Sequence, residues 1–194
     1  MVSIIVARNT WETLTYPVIE NIHNKGILDI SIAPARIANN LHTQIQQIGI
    51  KIAQNLEYIG VMAIEFFITQ DEELLANEMA PRPHNSGHLT IDACHTSQFE
   101  QQVRSICNLK LGETNLHSNA IMLNLLGDIW QDEHTMPNLQ QVLGKYDNLK
   151  LHLYGKKIAR SGRKMGHLTV VGENLDTLYT QIQQIKNELN ISIS

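Results

Sequence analysis

Residues 61–88 read VMAIEFFITQDEELLANEMAPRPHNSGH, and both the fold and the chemistry of the chain turn on how this stretch pairs. Residues 61–69 form an apolar run rich in β-branched and aromatic side chains. Gln70-Asp71-Glu72 is a polar break, and residues 74–79 form a second extended run, the pattern of a β-hairpin. Glu65 sits mid-strand among apolar neighbours, and Glu78 lies thirteen residues later, near the end of the partner strand. Cross-strand pairing brings such side chains together. A hard cation such as Mg2+ takes oxygen ligands and is commonly held by one or two carboxylates plus nucleotide phosphates. The competing reading is one solvent-facing glutamate on each strand of a half-exposed sheet; the apolar surroundings of Glu65 weigh against it.

The hairpin runs into a loop that is dense in polar groups. Residues 77–88 place a carboxylate, a guanidinium, two imidazoles and amides within twelve positions. Arg82 offers a planar fork of donors suited to carboxylate, bicarbonate or phosphate, and Pro81 and Pro83 stiffen the backbone around it. His84, Asn85, Ser86 and His88 follow directly, and Asn77 beside Glu78 is a weaker candidate of the same kind. The alternative is a surface loop tied by its own hydrogen bonds. Two histidines without a third or fourth soft ligand nearby argue against zinc. Further on, Lys156, Arg160, Arg163, Lys164 and His167 form a basic cluster, with Gly162 and Gly166 allowing close backbone approach. A sugar phosphate suits that cluster; a merely solvated loop is the alternative. His23 and Arg8 stand alone and decide nothing by themselves.

Outward from the hairpin, residues 3–8 read as a buried strand, with extended segments at 13–17, 18–23 and 30–34. Ile37, Leu41, Ile45, Ile48, Ile52, Leu56 and Ile59 recur every three or four residues, predicting a long amphipathic helix that Gly60 ends. Ser97 is placed to cap a helix through Ile106, with Glu100 at capping-box spacing. Strands at 120–126, 149–154 and 167–171, a short helix at 138–146 and a last helix at 174–190 complete an α+β chain whose two parts, 1–110 and 111–194, join near residue 110.

Composition excludes several classes. Hydrophobic residues make up 43% and charged residues 18%, a globular balance, and a net charge of −4 gives no electrostatic case for nucleic acid or an anionic membrane. Residues 1–7 are too short and lack the basic start of a secretory leader, and no run approaches a membrane span. Cys94 and Cys107, thirteen apart, fit neither a metal pattern nor a disulfide framework and are expected as buried thiols in a reducing cytoplasm.

Residues 77–88, NEMAPRPHNSGH, followed by TIDAC at 90–94 and TSQFE at 96–100, closely resemble the N5-carboxyaminoimidazole ribonucleotide synthases, ATP-grasp ligases of de novo purine synthesis also described as the ATPase subunit of phosphoribosylaminoimidazole carboxylase. Segments 3–8, 16–23, 60–69 and 162–167 agree, so the resemblance covers the whole chain. The related formate-dependent glycinamide ribonucleotide transformylases share the Pro-Arg-Pro-His style of loop but not the Asn85–His88 continuation or the motif at 162–167.

The resemblance implies the C-terminal half of an ATP-grasp domain followed by a small mixed α/β domain. It implies a cytoplasmic enzyme, homodimeric when complete, that uses ATP and bicarbonate, through carboxyphosphate, to carboxylate 5-aminoimidazole ribonucleotide. Glu65 and Glu78 would hold Mg2+ (or Mn2+). His23, Asn77 and Glu78 would contact the nucleotide. Arg82 would serve catalysis at the bicarbonate or carboxyphosphate anion, with His84, Asn85, Ser86 and His88 lining the same pocket. Lys156 and Arg163 would grip the ribonucleotide phosphate. The chain departs from the family in length: a complete synthase is about twice as long, and Met1 stands where the family usually carries a nucleotide-binding glutamate. A cut or separately encoded half without ligase activity of its own is therefore expected. The rivals are a ligase with another acyl donor and a non-catalytic binding or dimerisation module.

Overall fold

Strand β1 (Val2–Arg8) is buried from Val2 to Ala7 and apolar there except for Ser3, because it lies inside a sheet covered on both faces. The computed structural model describes residues 1–132 and 135–191. After β1 come β2 (Thr13–Thr15), β3 (Ile19–Asn24), β4 (Ile27–Ala33), α1 (Asn39–Asn55), β5 (Gly60–Ile68) and β6 (Leu74–Ala80). A 3-10 turn (Asn85–Leu89) leads into α2 (Thr90–Ala93) and α3 (Gln98–Ile106). Strand β7 (Asn119–Leu126), α4 (Leu139–Lys145), β8 (Leu149–Leu153), β9 (Lys164–Gly172) and α5 (Leu175–Glu188) follow. The α+β expectation holds: among the described residues the strands form one antiparallel sheet in the order β6-β5-β1-β3-β4-β7-β9-β8, with β2 beside the second half of β1. Strand β4 pairs with β7, so the sheet runs without a break across residue 110.

Paired residues of antiparallel strands share a face, so register dictates what lies where. Val2, Ile4 and Val6 pack under Leu41, Ile45 and Ala53 of α1. Val2 pairs with Glu20 and Glu20 with Ile32, which carries the same face across to the cluster under α5, containing Ile121, Leu123, Leu168, Leu178 and Ile182. The opposite face holds Ile5, Ala7, Val61 and Ala63 beneath Leu89 and Ala93. Ser3, Glu65 and Glu78 pair in sequence across β1, β5 and β6 on that second face, and Asn21 pairs with Ser31 on it across β3 and β4. A polar row thus crosses five strands of an otherwise apolar surface.

Several expectations need correction. Helix α1 ends at Asn55, because Glu57 adopts a left-handed φ of 49°; Gly60 instead opens β5, and Leu56 and Ile59 are exposed. The buried stripe of α1 is Leu41, Ile45, Gly49 and Ala53. A Cβ on Gly49 would lie 3.0 Å from Val6 Cγ2, so a residue without a side chain lets the helix approach β1. Gly166 serves strand packing: a Cβ there would stand 2.5 Å from the His152 carbonyl oxygen of β8. Ser97 caps α3 by accepting from the Glu100 N–H at 3.2 Å, while the Glu100 carboxylate turns to Arg104. Cys94 is buried as expected, but Cys107, just past the end of α3, is exposed.

One core contact carries a charge. Lys186 of α5 is fully buried and its Nζ bonds Asp29 Oδ2 at 2.6 Å. Asp29 is the extra residue where β4 slips register against β3, between the pairs Ile22–Ile30 and His23–Leu28; the bulge turns it toward α5. Removing one partner of a buried pair strands the other charge. Urea unfolding of Lys186→Met should show a loss of about 3–5 kcal/mol. The double variant Asp29→Asn/Lys186→Met should recover part of it, and a neutral single variant would refute this account of the contact.

Candidate functional site

The hairpin β5–β6 aligns Glu65 directly with Glu78, and the register then slips, pairing Phe66 with Ala76. Asn77 is the extra residue. Consecutive residues of a regular strand point to opposite faces, but a bulge lets both Asn77 and Glu78 line one cleft. That cleft, about 700 Å3, is also lined by Met1, Asn21, His23, Glu65, His84, Asn85 and Lys164.

Its centre is acidic. The Glu65 carboxylate is buried and accepts from Asn77 Nδ2 at 3.1 Å through Oε2. Glu65 Oε1 lies 3.9 Å and Glu78 Oε1 3.6 Å from His84 Nε2, beyond hydrogen-bonding range but close enough to feel its charge distribution. One ligand atom from each of Glu65, Glu78 and His84 falls within 4.8 Å of the others. Burial lowers the pKa of His84, opposed only in part by Glu65. Burial likewise lowers His23, with the N-terminal amine adding to the effect, and lowers Lys164, with Arg82 and Lys156 adding to it.

Gln98 shapes the loop. Its fully buried side chain accepts from the His84 N–H at 2.9 Å and donates to the His84 carbonyl at 2.7 Å; it also bonds His88 Nδ1 at 2.9 Å. The loop is thereby fixed before any ligand arrives. Asn85 is not held in this way. Its side chain is buried and faces the cleft, and neither amide atom has a partner among the described residues. A buried amide without partners is costly, so this one is suited to a ligand that supplies both a donor and an acceptor.

The structure therefore brings together His23, Glu65, Asn77, Glu78, His84 and Asn85, and separates the other sequence candidates from them. Arg82 is exposed at the rim, its guanidinium bonded to the Pro83 carbonyl at 3.0 Å. Ser86 is buried behind His84, bonded to it at 3.0 Å. His88 points away from the cleft, packing on Phe99 and His167 at ring separations of 5.2 Å. Lys156 and Arg163 bond the backbone carbonyls of Lys164 and Ile158 at 2.5 and 2.7 Å. Asn21 joins the cleft unforeseen; its one signal was the two-residue spacing to His23 along a strand.

Asp92, His152 and His167 also gather ligand atoms within 4.8 Å. His152 Nε2 is already bonded to Asp92 at 2.8 Å, and the two rings stack at 4.6 Å with planes 17° apart. Lone pairs lie in the ring planes, so near-parallel stacked rings do not converge on one ion. The group is a packing and hydrogen-bonding contact between α2 and the β8–β9 hairpin. Burial, reinforced by the neighbouring imidazoles, pushes His88 down to about 4 and His167 down to about 3.

Comparison with known proteins adds to this geometry. The ATP-grasp domain family model matches residues 1–99, and the model of the phosphoribosylaminoimidazole carboxylase C-terminal domain matches residues 120–181. The chain is 44% identical over 187 residues to the N5-carboxyaminoimidazole ribonucleotide synthase of Bacillus subtilis, covering 96% of this chain and 47% of that protein. It superposes with a TM-score of 0.88 on an N5-carboxyaminoimidazole ribonucleotide synthetase solved with ADP, at 46% identity, covering 98% of this chain and 48% of the other. The Aspergillus clavatus synthase, solved with ADP and 5-aminoimidazole ribonucleotide, gives a TM-score of 0.88 at 30% identity, covering 97% and 51%. The chain thus spans about half the length of the curated relatives it matches.

The histidine contact generates a pH prediction. Both folded-state values lie below the unfolded value, so the unfolded chain binds more protons in the interval between them. The stabilisation is complete above pH about 6.5 and is lost as pH falls toward the folded values of about 4 and 3. Denaturant midpoints should fall between pH 7 and 4, by up to roughly 3 kcal/mol per histidine. His167→Gln should flatten that dependence; an unchanged pH profile would contradict the assignment.

Proposed function

The chain belongs to the ATP-grasp family, and from that footing we propose that it is the C-terminal portion of a purine-biosynthetic ligase that carboxylates 5-aminoimidazole ribonucleotide. In the proposed reaction the γ-phosphoryl group of ATP passes to bicarbonate, giving carboxyphosphate and ADP. The amine nitrogen of the ribonucleotide then attacks the carboxyl carbon, the carbon–oxygen bond to phosphate breaks, and the amine proton leaves with the phosphate or to solvent.

The observation that carries this reading is the direct pairing of Glu65 with Glu78 beside an amide that lacks partners. Two carboxylates on one face, one of them buried, form an oxygen donor set that suits Mg2+ or Mn2+. Glu65 and Glu78 would hold the ion, and Asn77 would orient Glu65. When bound, such an ion neutralises charge on the ATP phosphates during transfer. His23 and Asn77 would meet the nucleotide. Arg82 would swing from the rim to the bicarbonate or carboxyphosphate anion, and Asn85 would fix its oxygens. His84 lies between these groups and the carboxylates. Ser86 and His88 support the pocket from behind, whereas Lys164 is already in the cleft. Lys156 and Arg163 would reach the ribonucleotide phosphate by releasing their backbone carbonyls.

The segments 1–110 and 111–194 are proposed as the end of the ATP-grasp domain and the synthase's C-terminal domain. Leu75, exposed on β6 on the cleft face, and Met79, exposed on the opposite face, suit contact with further polypeptide. The complete enzyme is proposed as a cytoplasmic homodimer; no described helix is long and apolar enough to cross a membrane.

The test is an assay of the chain alone and of the chain joined to the N-terminal half of a relative. The chain alone should show no ligase activity. The joined protein should consume ATP with bicarbonate and 5-aminoimidazole ribonucleotide, and not with formate. Glu78→Gln should lower its kcat by about 100-fold or more. Full turnover by the chain alone, use of formate, or an unaffected Glu78→Gln variant would overturn the proposal.

A further inference from the structure

Beneath the cleft, small polar side chains link four segments in a line. Ser31 Oγ bonds Asn21 Oδ1 at 2.9 Å, Asn21 Nδ2 bonds Ser3 Oγ at 2.9 Å, Ser3 Oγ bonds Ser86 Oγ at 2.9 Å, and Ser86 Oγ lies 3.0 Å from His84 Nδ1. Ser3, Asn21, Ser31 and Ser86 are all buried, so solvent does not compete for these bonds. The line ends on the imidazole whose other nitrogen faces Glu65 and Glu78.

Such a chain of hydroxyls and an amide satisfies its heavy-atom positions with protons running either way. In one order Ser86 donates to Nδ1; in the other Nδ1 carries a proton and donates to Ser86. The backbone decides between them. The Ser86 N–H also points at His84 Nδ1, at 3.4 Å, and a peptide N–H only donates. Nδ1 must therefore present its lone pair, and a neutral imidazole then carries its single proton on Nε2.

We propose that Ser86 is a positioning residue whose backbone N–H locks His84 in the Nε2–H tautomer, with the Ser3–Ser86 hydroxyl line following that order, making His84 a hydrogen-bond donor to an anionic phosphate or carboxylate oxygen in the cleft rather than a metal ligand or a proton acceptor. Distance alone groups His84 with Glu65 and Glu78 as three metal ligands. A nitrogen that bears a proton has no lone pair to give an ion, so any cation there rests on the two carboxylates. Glu65 and Glu78 are hard oxygen donors, and removing the imidazole from the set favours Mg2+ over zinc. The donor role rests on the reading of the cleft given above; the tautomer does not.

Long-range 1H–15N correlation of the labelled 194-residue chain at neutral pH, without ligand, tests the lock directly, with His84→Gln assigning the ring. His84 should show an unprotonated Nδ1 and a protonated Nε2; Ser86→Ala, which keeps the backbone N–H, should leave that tautomer in place, and Ser86→Pro, which removes the N–H, should mix the tautomers while the other histidines keep theirs. If either serine variant fails to fold, the wild-type spectrum still decides. A protonated Nδ1, or a doubly protonated ring, would overturn the proposal. In a parallel Mn2+ titration followed by electron paramagnetic resonance, Glu65→Gln should weaken binding more than tenfold and His84→Gln less than twofold. A tenfold loss in His84→Gln would also overturn it. If the wild-type chain shows the expected tautomer yet binds no Mn2+, the lock stands and the cation reading of the cleft fails.

Discussion

Everything in the cleft depends on one pairing, Glu65 against Glu78 across the β5–β6 hairpin. Two carboxylates at that separation repel each other, and one of them is buried. Such an arrangement costs folding free energy unless something positive or hydrogen-bonding faces it. The protein supplies part of this, through the Asn77 amide, the near edge of His84 and the Lys164 ammonium. In the proposed function a divalent cation supplies the remainder.

The surrounding fold holds that pairing in place. Strand β1 fixes β5 by a seven-residue register, and the covered apolar faces prevent a slip, since moving by one residue would bury Glu65 against α1. Bulges then adjust individual side chains: one turns Asn77 beside Glu78, another turns Asp29 to Lys186. Gln98 fixes the loop from the opposite side, and the Ser31–Asn21–Ser3–Ser86 line fixes His84 from below. The site is thus built on sheet register and buried hydrogen bonds, so its geometry is set before ligand binding.

Much of this was legible in residue order. An apolar run, a polar break and a second extended run marked the hairpin, and the isolation of Glu65 among apolar residues marked it as unusual. Ser97 announced its helix. What escaped was whatever depends on distant partners. Gly49 carries no hydrophobic signal, yet a side chain there would press on Val6 and Ile4 of β1. Lys186 reads as a surface lysine until a bulge 157 residues away turns Asp29 toward it. Asn77 was a weak candidate on its residue type alone, because its orientation comes from a register slip that no local pattern announces. Conversely, His88 was expected from its place in the loop, and Lys156 and Arg163 from a basic cluster and the resemblance, and the structure shows these side chains packed or bonded on other groups.

The central claim is that Glu65 and Glu78 converge on a single divalent cation. Crystals of the chain grown or soaked in millimolar Mn2+ would test it most directly, by anomalous scattering. The account predicts one peak within coordination distance of an oxygen from each carboxylate and no nitrogen ligand from His84. A peak held by His84, a peak at Asp92, His152 and His167 instead, or no peak beside the two glutamates would contradict it.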